Sequence, residues 1–466
     1  MTSTGQEPTT TRPSMLHSIG ITSATSVALV LVNAVSGILI ARLLDADGKG
    51  AVTAITTWIQ MGAWIFAFGV PAAGTYVLAR RPEIGRTIVG TTFAAAASFG
   101  VLATIATQGL LYFVFAGQPS DIRVLAHVFG LAVLVVVVAD FTTDLINGDH
   151  DFTVLNALRF GRQVLKVLIM LALWVATGLE VWLVLLAFVI AEVVTAVASV
   201  VRVVRRIGVG RPSRDLLRDN VRYGVRLQGG QLAGLANHRL DLLVMPVFLS
   251  TTDIGLYSVA VSVAAVLFSV LGTLRLVIFP AAARAATSRD RTALIARALR
   301  LITFAAAGLS VPLFLAAPWA VPFVYGKAFD PAVPALRILL VGYIFKAGSS
   351  VVVAGLKAAN RPLAASVGEL ASIPLTVIGL VYALERFGIE GAAVVSSGAY
   401  ALSFAVGLLL LSTSERLPLR SLLSMHALRD DITAVHRRGS LSITERRRAR
   451  GRPSPSSPRP STGERP

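Results

Sequence analysis

Long apolar segments recur along the chain between residues 18 and 412, separated by short stretches that contain charged residues, glycine or proline. Many of these segments run for about 20 residues without a charge, which is the length of an α-helix that crosses the hydrocarbon core of a bilayer. The pattern therefore predicts an all-α integral membrane protein with about twelve transmembrane helices. We expect these helices at residues 18–41, 51–79, 87–115, 124–147, 154–177, 181–204, 222–249, 254–283, 297–324, 332–358, 362–385 and 389–412.

The composition agrees with a membrane protein. Of the 466 residues, 55% are hydrophobic and 15% are charged, whereas soluble domains average about 45–50% and about 25%. A soluble enzyme, a nucleic-acid-binding module and a disordered scaffold are therefore disfavoured. The absence of cysteine excludes disulfides, thiolate metal sites and cysteine nucleophiles. No group of His, Asp and Glu has the spacing of a metal site, so we expect neither a metal nor another cofactor.

The net charge is +18, and the basic residues are unevenly distributed between alternate loops. With both termini in the cytoplasm, the inner segments before the tail hold 21 Lys and Arg residues, including Arg159, Arg162 and Lys166. The outer segments hold 6, including Arg42 and Lys49. Such an excess is typical of cytoplasmic loops. We therefore predict a multi-pass protein of the cytoplasmic membrane with both termini inside, and attribute most of the positive charge to topology, not to nucleic acid.

The two halves of the chain resemble each other. The segment from Leu44 to Gly50 follows the first predicted helix, and the segment from Leu249 to Gly255 follows the seventh, at an offset of 255 − 50 = 205 residues. Because six helices per half is an even number, both halves enter the membrane from the same side, as in transporters with parallel repeats. The substrate path is then expected between two lobes that rock against each other.

The repeat and the composition together predict five regions. They are a cytoplasmic N-terminal segment (1–17), an N-terminal six-helix lobe (18–204), a cytoplasmic linker (205–221), a C-terminal six-helix lobe (222–413) and a tail rich in basic residues, proline and serine (414–466). The tail cannot bury enough apolar area to fold, so we expect it to be disordered. It either attracts anionic lipids of the inner leaflet or only reinforces the orientation.

An acidic motif in the first outer loop offers an alternative function. Asp45 and Asp47 resemble the acidic site of membrane glycosyltransferases that use lipid-phosphate donors, but the repeat has Ser250 and Thr252 in the matching positions. A tight turn between helices accounts for these residues. Because the outer loops are also too short for a catalytic domain, we predict a transporter and disfavour a glycosyltransferase or ligase.

Several short motifs carry a resemblance to a known family. They are Ala41-Arg42-Leu43-Leu44 with Gly48-Lys49-Gly50, Arg239-Leu240-Asp241 with Gly255-Leu256-Tyr257-Ser258, and the segments 333–339 and 387–393. Over residues 15–413 the chain resembles polysaccharide-biosynthesis flippases of the Wzx type, in the superfamily of multidrug/oligosaccharidyl-lipid/polysaccharide (MOP) exporters.

The resemblance implies a MATE-like fold and a protein that flips a polyprenyl-pyrophosphate-linked oligosaccharide from the inner to the outer leaflet. Membrane lipids, a polysaccharide polymerase and glycosyltransferases are the partners expected for such a protein. Multidrug cation antiporters and peptidoglycan-precursor flippases share the architecture and stay open as alternatives.

Transfer of a pyrophosphate across hydrocarbon requires a hydrated cationic cavity. Arginine suits this task because its guanidinium forms bidentate, charge-assisted hydrogen bonds with phosphate oxygens. Charges inside membrane spans are costly, so each one implies a cavity or a partner. We predict that Arg239, Arg275 and Lys346 line the cavity between the lobes. Alternatively, Arg239 pairs with an acid in the N-terminal lobe, and Arg275 extends to the inner surface.

Five acids inside or near the predicted spans are candidates for ion coupling. Two of them, at an i, i+4 spacing, share one face of the fourth helix. These acids either bind Na⁺ or H⁺ and couple that ion to transport, or pair with the arginines of the cavity. They are Asp140, Asp144, Glu192, Asp241 and Glu369.

Overall fold

The computed structural model describes residues 15–272 and 287–415, and in these ranges it contains α-helices, two short 3-10 helices (Pro82–Ile84 and Lys327–Phe329), turns and no strand. Arg275 and most of the predicted terminal segments 1–17 and 414–466 lie outside the described residues. The helices are α1 (Met15–Ile65), α2 (Val70–Arg80), α3 (Gly85–Val114), α4 (Ser120–Gly130), α5 (Val133–Gly148), α6 (Phe152–Thr177), α7 (Val181–Arg206), α8 (Arg214–Phe248), α9 (Thr251–Gly272), α10 (Ser288–Tyr325), α11 (Ala332–Ala358) and α12 (Pro362–Glu415).

These helices agree with the predicted spans, although some are merged and others are divided. Helix α1 kinks at Asp45, where φ is 53°, and α12 kinks at Gly388, where φ is 54°, so each contains two successive spans. Helices α4 and α5 together form the fourth span, Ser120–Gly148. Eight helices of the described part are long and apolar enough to cross a membrane. The predicted all-α membrane architecture is confirmed.

The second predicted span, 51–79, is broken between α1 and α2. Phe68 and Gly69 have φ values of 49° and 66°, and Pro71 follows in the first turn of α2. Proline has no N–H with which to extend the hydrogen bonding of α1. The side chain of Gln228 in α8 donates to the carbonyl oxygens of Trp64 and Ile65, at 2.8 and 3.1 Å. The break in one lobe is therefore stabilised by a side chain of the other.

We call the end of the molecule that carries residues 207–213, between α7 and α8, the inner end, and the opposite end the outer end. In the outer half, the two lobes share one hydrophobic core, in which Ile55 and Ile59 of the N-terminal lobe belong to the same cluster as Leu242 and Tyr257 of the C-terminal lobe. The inner half has two separate cores. One is built around Ile88, Leu145 and Val203 of the N-terminal lobe, and the other around Leu299, Val351 and Leu411 of the C-terminal lobe.

Residues at equivalent positions of the two repeats meet at the outer end. A Cβ atom added to Gly50 would lie 1.6 Å from the carbonyl oxygen of Thr251, and one added to Gly255 would lie 1.9 Å from that of Ala46. Gly50 and Gly255 are equivalent positions at the offset of 205 residues, and so are Ala46 and Thr251. The pseudo-twofold axis of the repeat therefore passes through this outer contact of Ala46, Gly50, Thr251 and Gly255. Only glycine lets the two backbones approach so closely.

Polar side chains reinforce the closure of the outer end. Asp47 accepts hydrogen bonds from the hydroxyl groups of Thr251 and Thr252 across the two lobes, the second at 3.3 Å. Arg42 donates to the carbonyl oxygen of Val324 at 2.7 Å. The acidic motif at Asp45 and Asp47 thus forms a kink and an inter-lobe contact, as the interpretation of a tight turn expects.

The predicted orientation is testable by thiol labelling, because the chain has no native cysteine. Ser120→Cys, at the start of α4, should react with a membrane-impermeant thiol reagent in intact cells, whereas Ser213→Cys, beside the start of α8, should react only after permeabilisation. Labelling of Ser213→Cys in permeabilised cells is the control that shows its thiol to be reactive. Labelling of Ser213→Cys in intact cells would overturn the orientation.

Candidate functional site

A cavity of about 280 Å³ lies between the N-terminal lobe and α8, toward the inner end. It lies beside the break between α1 and α2, where the chain is not helical, and polar side chains of α5, α6 and α7 face it. Its lining consists of Trp64, Ala67, Gly69, Pro71, Ala72, Asp140, Thr143, Asp144, Arg159, Arg162, Thr195, Leu227 and Gln228. This is a polar site among membrane-spanning helices, and such sites are functional candidates by default.

The cations of this site come from one face of α6. Arg159, Arg162 and Lys166 are spaced i, i+3 and i+7, which places them one above the other on a helix. We call these three residues the α6 basic stripe. The two arginines line the cavity, and Lys166 lies one helical turn, about 6 Å, further toward the outer end.

Acids of two neighbouring helices neutralise part of the stripe. The Nη1 atom of Arg162 lies 3.1 Å from Oε2 of Glu192, whose side chain is only 6% exposed. Asp140 lies within electrostatic range of Arg162 and Arg159, and Asp144 within range of Arg159. Asp140, Asp144 and Glu192, which were predicted to bind an ion or to pair with arginines of the cavity, therefore share a site with the α6 basic stripe.

The structure corrects the assignment of four basic residues to loops. Arg159, Arg162 and Lys166 lie within α6, and Lys49 is only 9% exposed. Without them, the inner segments still hold 18 basic residues (21 − 3) and the outer segments 5 (6 − 1), so the inner excess persists. The stripe was missed because the count by segments attributed these cations to topology. Their i, i+3, i+7 spacing was the signal that identifies a helix face.

A second polar cluster lies within the C-terminal lobe. Oδ2 of Asp241 accepts hydrogen bonds from the hydroxyl groups of Tyr257 at 2.6 Å and Ser396 at 3.2 Å. The ammonium group of Lys346 donates to the Tyr400 hydroxyl at 3.1 Å and lies 4.5 Å from the centre of the Tyr343 ring. Cation–π contacts of this kind stabilise a desolvated ammonium. Lys346, predicted to line the cavity, is only 7% exposed and is enclosed by aromatic rings.

The other predicted site residues are not brought into the cavity. Arg239 is exposed and lies on α8 beside Asp241. Glu369 is half-buried on α12, and Arg275 lies outside the described residues. Of the predicted set, the cavity therefore contains Asp140 and Asp144, and Glu192 joins them through Arg162.

Solved structures show which class of protein has this fold. One is described as the inward-facing conformation of a multidrug resistance MATE family transporter of the MOP superfamily. It aligns with a TM-score of 0.70 and 15% identity over 85% of this chain and 99% of that chain. Another, the lipid II flippase MurJ in an inward closed conformation, aligns with a TM-score of 0.67 and 13% identity over 90% and 91%. The chain therefore has the fold of MOP-superfamily transporters.

The particular family follows from the sequence. Residues 39–334, more than half of the chain, match the model of a family described as polysaccharide biosynthesis protein. The chain belongs to this family and is a multi-pass membrane protein. A search among curated proteins finds no match to the sequence.

Proposed function

We propose that this protein is a Wzx-type flippase, which moves a polyprenyl-pyrophosphate-linked oligosaccharide from the inner to the outer leaflet of the cytoplasmic membrane. The observation that carries the proposal is the α6 basic stripe, whose two arginines face a cavity between the lobes. Membership in the polysaccharide biosynthesis protein family supports a glycan as the cargo. The transport step then serves the export of cell-surface polysaccharide.

The chemistry required is binding without a covalent step. Arg159 and Arg162 are suited to the pyrophosphate because planar guanidinium groups pair with phosphate oxygens in a bidentate manner. Glu192 holds Arg162 in place and offsets the cost of its charge while the site is empty. Because the acids compete with the substrate for the same guanidinium groups, binding stays weak enough for release on the other side.

Transport also requires the site to face both sides of the membrane in turn. In the conformation described, the lobes share a core at the outer end and have separate cores at the inner end, so the molecule is closed at the outer contact. Separation of the lobes at the outer end, with approach at the inner end, turns the cavity toward the outer leaflet. The polyprenyl chain stays in the lipid beside the lobes during this exchange.

Ion coupling is part of the proposal. Asp140 and Asp144 lie beside the arginines of the cavity. When the pyrophosphate draws Arg159 and Arg162 away, these carboxylates lose their partners and become acceptors for Na⁺ or H⁺. Binding of the ion would then depend on binding of the substrate, which is the requirement for coupled transport.

Depletion of the protein in its host tests the proposal against the alternatives from the same superfamily. We expect lipid-linked oligosaccharide to accumulate in the inner leaflet and surface polysaccharide to fall. Sensitivity to cationic drugs and the level of peptidoglycan precursors should stay unchanged. Increased drug sensitivity with normal surface polysaccharide would instead identify a multidrug antiporter, and accumulated peptidoglycan precursor would identify a flippase for that lipid.

A further inference from the structure

A second cavity, of about 850 Å³, lies at the outer end of the N-terminal lobe, and the proposed transport site does not use it. It forms where the kink of α1, the start of α4 and the junction of α6 with α7 come together. Its volume is in the range of sites that bind small molecules. The polar and aromatic side chains that line it are those of Asp45, Asp47, Ser120, Asp121, Glu180 and Trp182.

Trp182 gives this outer cavity an aromatic wall. Its indole nitrogen donates to Oε2 of Glu180 at 2.8 Å, which fixes the ring, yet the residue is 44% exposed. Tryptophan is common where a helix meets the membrane interface, but here the indole also lines a cavity beside several carboxylates. A ring that is held in place and still has open surface loses little freedom when a ligand packs on it.

The carboxylates of the outer cavity are spread over its wall. Within the described residues, no three His, Cys, Asp or Glu side chains are grouped so that they could hold a metal ion. Asp47 and Glu180 accept hydrogen bonds from side chains of the protein. The carboxylates of Asp45 and Asp121 make no hydrogen bond or ion pair in the described part of the chain. Since no Lys or Arg lines the cavity, it offers separate acceptors to a ligand that is rich in donors and is not an anion.

The backbone at Asp45 is strained. Its φ of 53° and ψ of −167° lie in a region that is nearly restricted to glycine. The other kinked helix, α12, has a glycine at its kink, Gly388, with φ of 54° and ψ of −135°. The kink of α1 thus carries a carboxylate in a conformation that suits glycine better, and strained residues of this kind cluster at binding sites.

We propose that the outer cavity binds sugar residues of the transported glycan. A pyranose ring has C–H groups on its faces, which pack on the negatively polarised face of an aromatic ring such as that of Trp182. Its hydroxyl groups donate charge-assisted hydrogen bonds to carboxylates such as those of Asp45 and Asp121. The identity of the sugar as part of the transported glycan rests on the proposed function. The site would then receive the glycan after the lobes have turned the transport cavity toward the outer leaflet.

Binding of phosphate-free oligosaccharides to the purified full-length protein in nanodiscs tests this site. The probes are oligosaccharides that partial acid hydrolysis releases from the host's own surface polysaccharide. We expect calorimetry to detect binding, and Trp182→Ala and Asp121→Asn should each weaken it by about tenfold. Trp174→Ala is the matched control, because Trp174 is also 44% exposed but lies on α6 outside the cavity lining, and it should leave binding unchanged.

Asp45→Gly separates binding from folding, because glycine relieves the strained backbone while the carboxylate is lost. We expect an unchanged or raised unfolding temperature together with weaker binding of the oligosaccharides. Trp182→Phe should keep most of the affinity, since an aromatic face remains. The proposal is overturned if no oligosaccharide binds, or if Trp182→Ala and Asp45→Gly bind the oligosaccharides as tightly as the unchanged protein.

Two further measurements separate this site from its rivals and from the proposed function. Tetraphenylphosphonium is the probe for an organic cation as the ligand. If it binds and Trp182→Ala removes its binding, while no oligosaccharide binds, the assignment to sugars is overturned. Flipping by the unchanged protein without oligosaccharide binding would overturn this site alone. Oligosaccharide binding that depends on Trp182, without flipping, would support this site while contradicting the proposed function.

Discussion

Replacement of Gly50 by alanine should prevent closure of the outer end and strongly reduce transport. The added methyl group would lie 1.6 Å from the carbonyl oxygen of Thr251, which belongs to a helical backbone and cannot rotate away. Overpacking of a close contact typically costs about 1–3 kcal/mol. Since about 1.4 kcal/mol is a tenfold change in an equilibrium, the ratio of closed to open protein should fall by about fivefold or more. Gly255→Ala should act in the same way, because the contact is symmetrical.

Labelling of a cysteine placed at Thr251 reports this change directly. Thr251 is 4% exposed while the outer end is closed, so Thr251→Cys should react slowly with an impermeant reagent. In the Gly50→Ala background it should react quickly. Gly109→Ala is the matched control, because a Cβ atom at this helical glycine meets nothing within 4 Å. Equal labelling rates and normal export in Gly50→Ala would show that the outer contact does not control the conformation.

Removal of the cavity arginines should abolish flipping, and two variants separate binding from stability. Arg159→Ala changes an exposed residue, so the protein should fold normally while transport falls sharply. Arg162→Met removes the guanidinium that pairs with the buried carboxylate of Glu192, so the unfolding temperature should fall. The double variant Arg162→Met, Glu192→Gln removes both charges and should recover the unfolding temperature without recovering transport.

The measurement combines thermal unfolding with the leaflet distribution of lipid-linked oligosaccharide. Arg218→Ala, which removes an exposed arginine of α8, controls for the loss of one positive charge at the inner surface. If the double variant transports as well as the unchanged protein, Arg162 has a structural role only, and the pyrophosphate is bound elsewhere.

Much of the fold follows from the sequence, because the length of each apolar segment and the similarity of the two halves can both be read from it directly. The spans follow from apolar runs, and the offset of 205 residues relates the two glycines that meet at the outer contact. The break at Phe68 and Gly69 was not predicted, because it depends on backbone conformation within an apolar run and on Gln228 from a distant helix.

The site was less predictable than the fold for a physical reason. A Lys or Arg near the end of a span can either lie at the cytoplasmic surface or line a cavity. The sequence alone does not distinguish these two positions. Arg159 and Arg162 were therefore attributed to topology. Conversely, Lys346 lies in the middle of a span as expected, but contacts with Tyr343 and Tyr400 enclose it within its own lobe.

Reconstitution of the purified protein into liposomes tests the central claim most directly. A fluorescent polyprenyl-pyrophosphate-linked oligosaccharide is placed in both leaflets, and an enzyme outside the vesicles cleaves the glycan that it reaches. We predict that the protein lets the enzyme reach nearly all of the labelled lipid, and that vesicles with Arg159→Ala behave like vesicles without protein, in which about half is protected. The contrary result is that, under an imposed Na⁺ or H⁺ gradient, the enzyme reaches no more of the labelled lipid with the unchanged protein than without it. That result would contradict the assignment as a flippase.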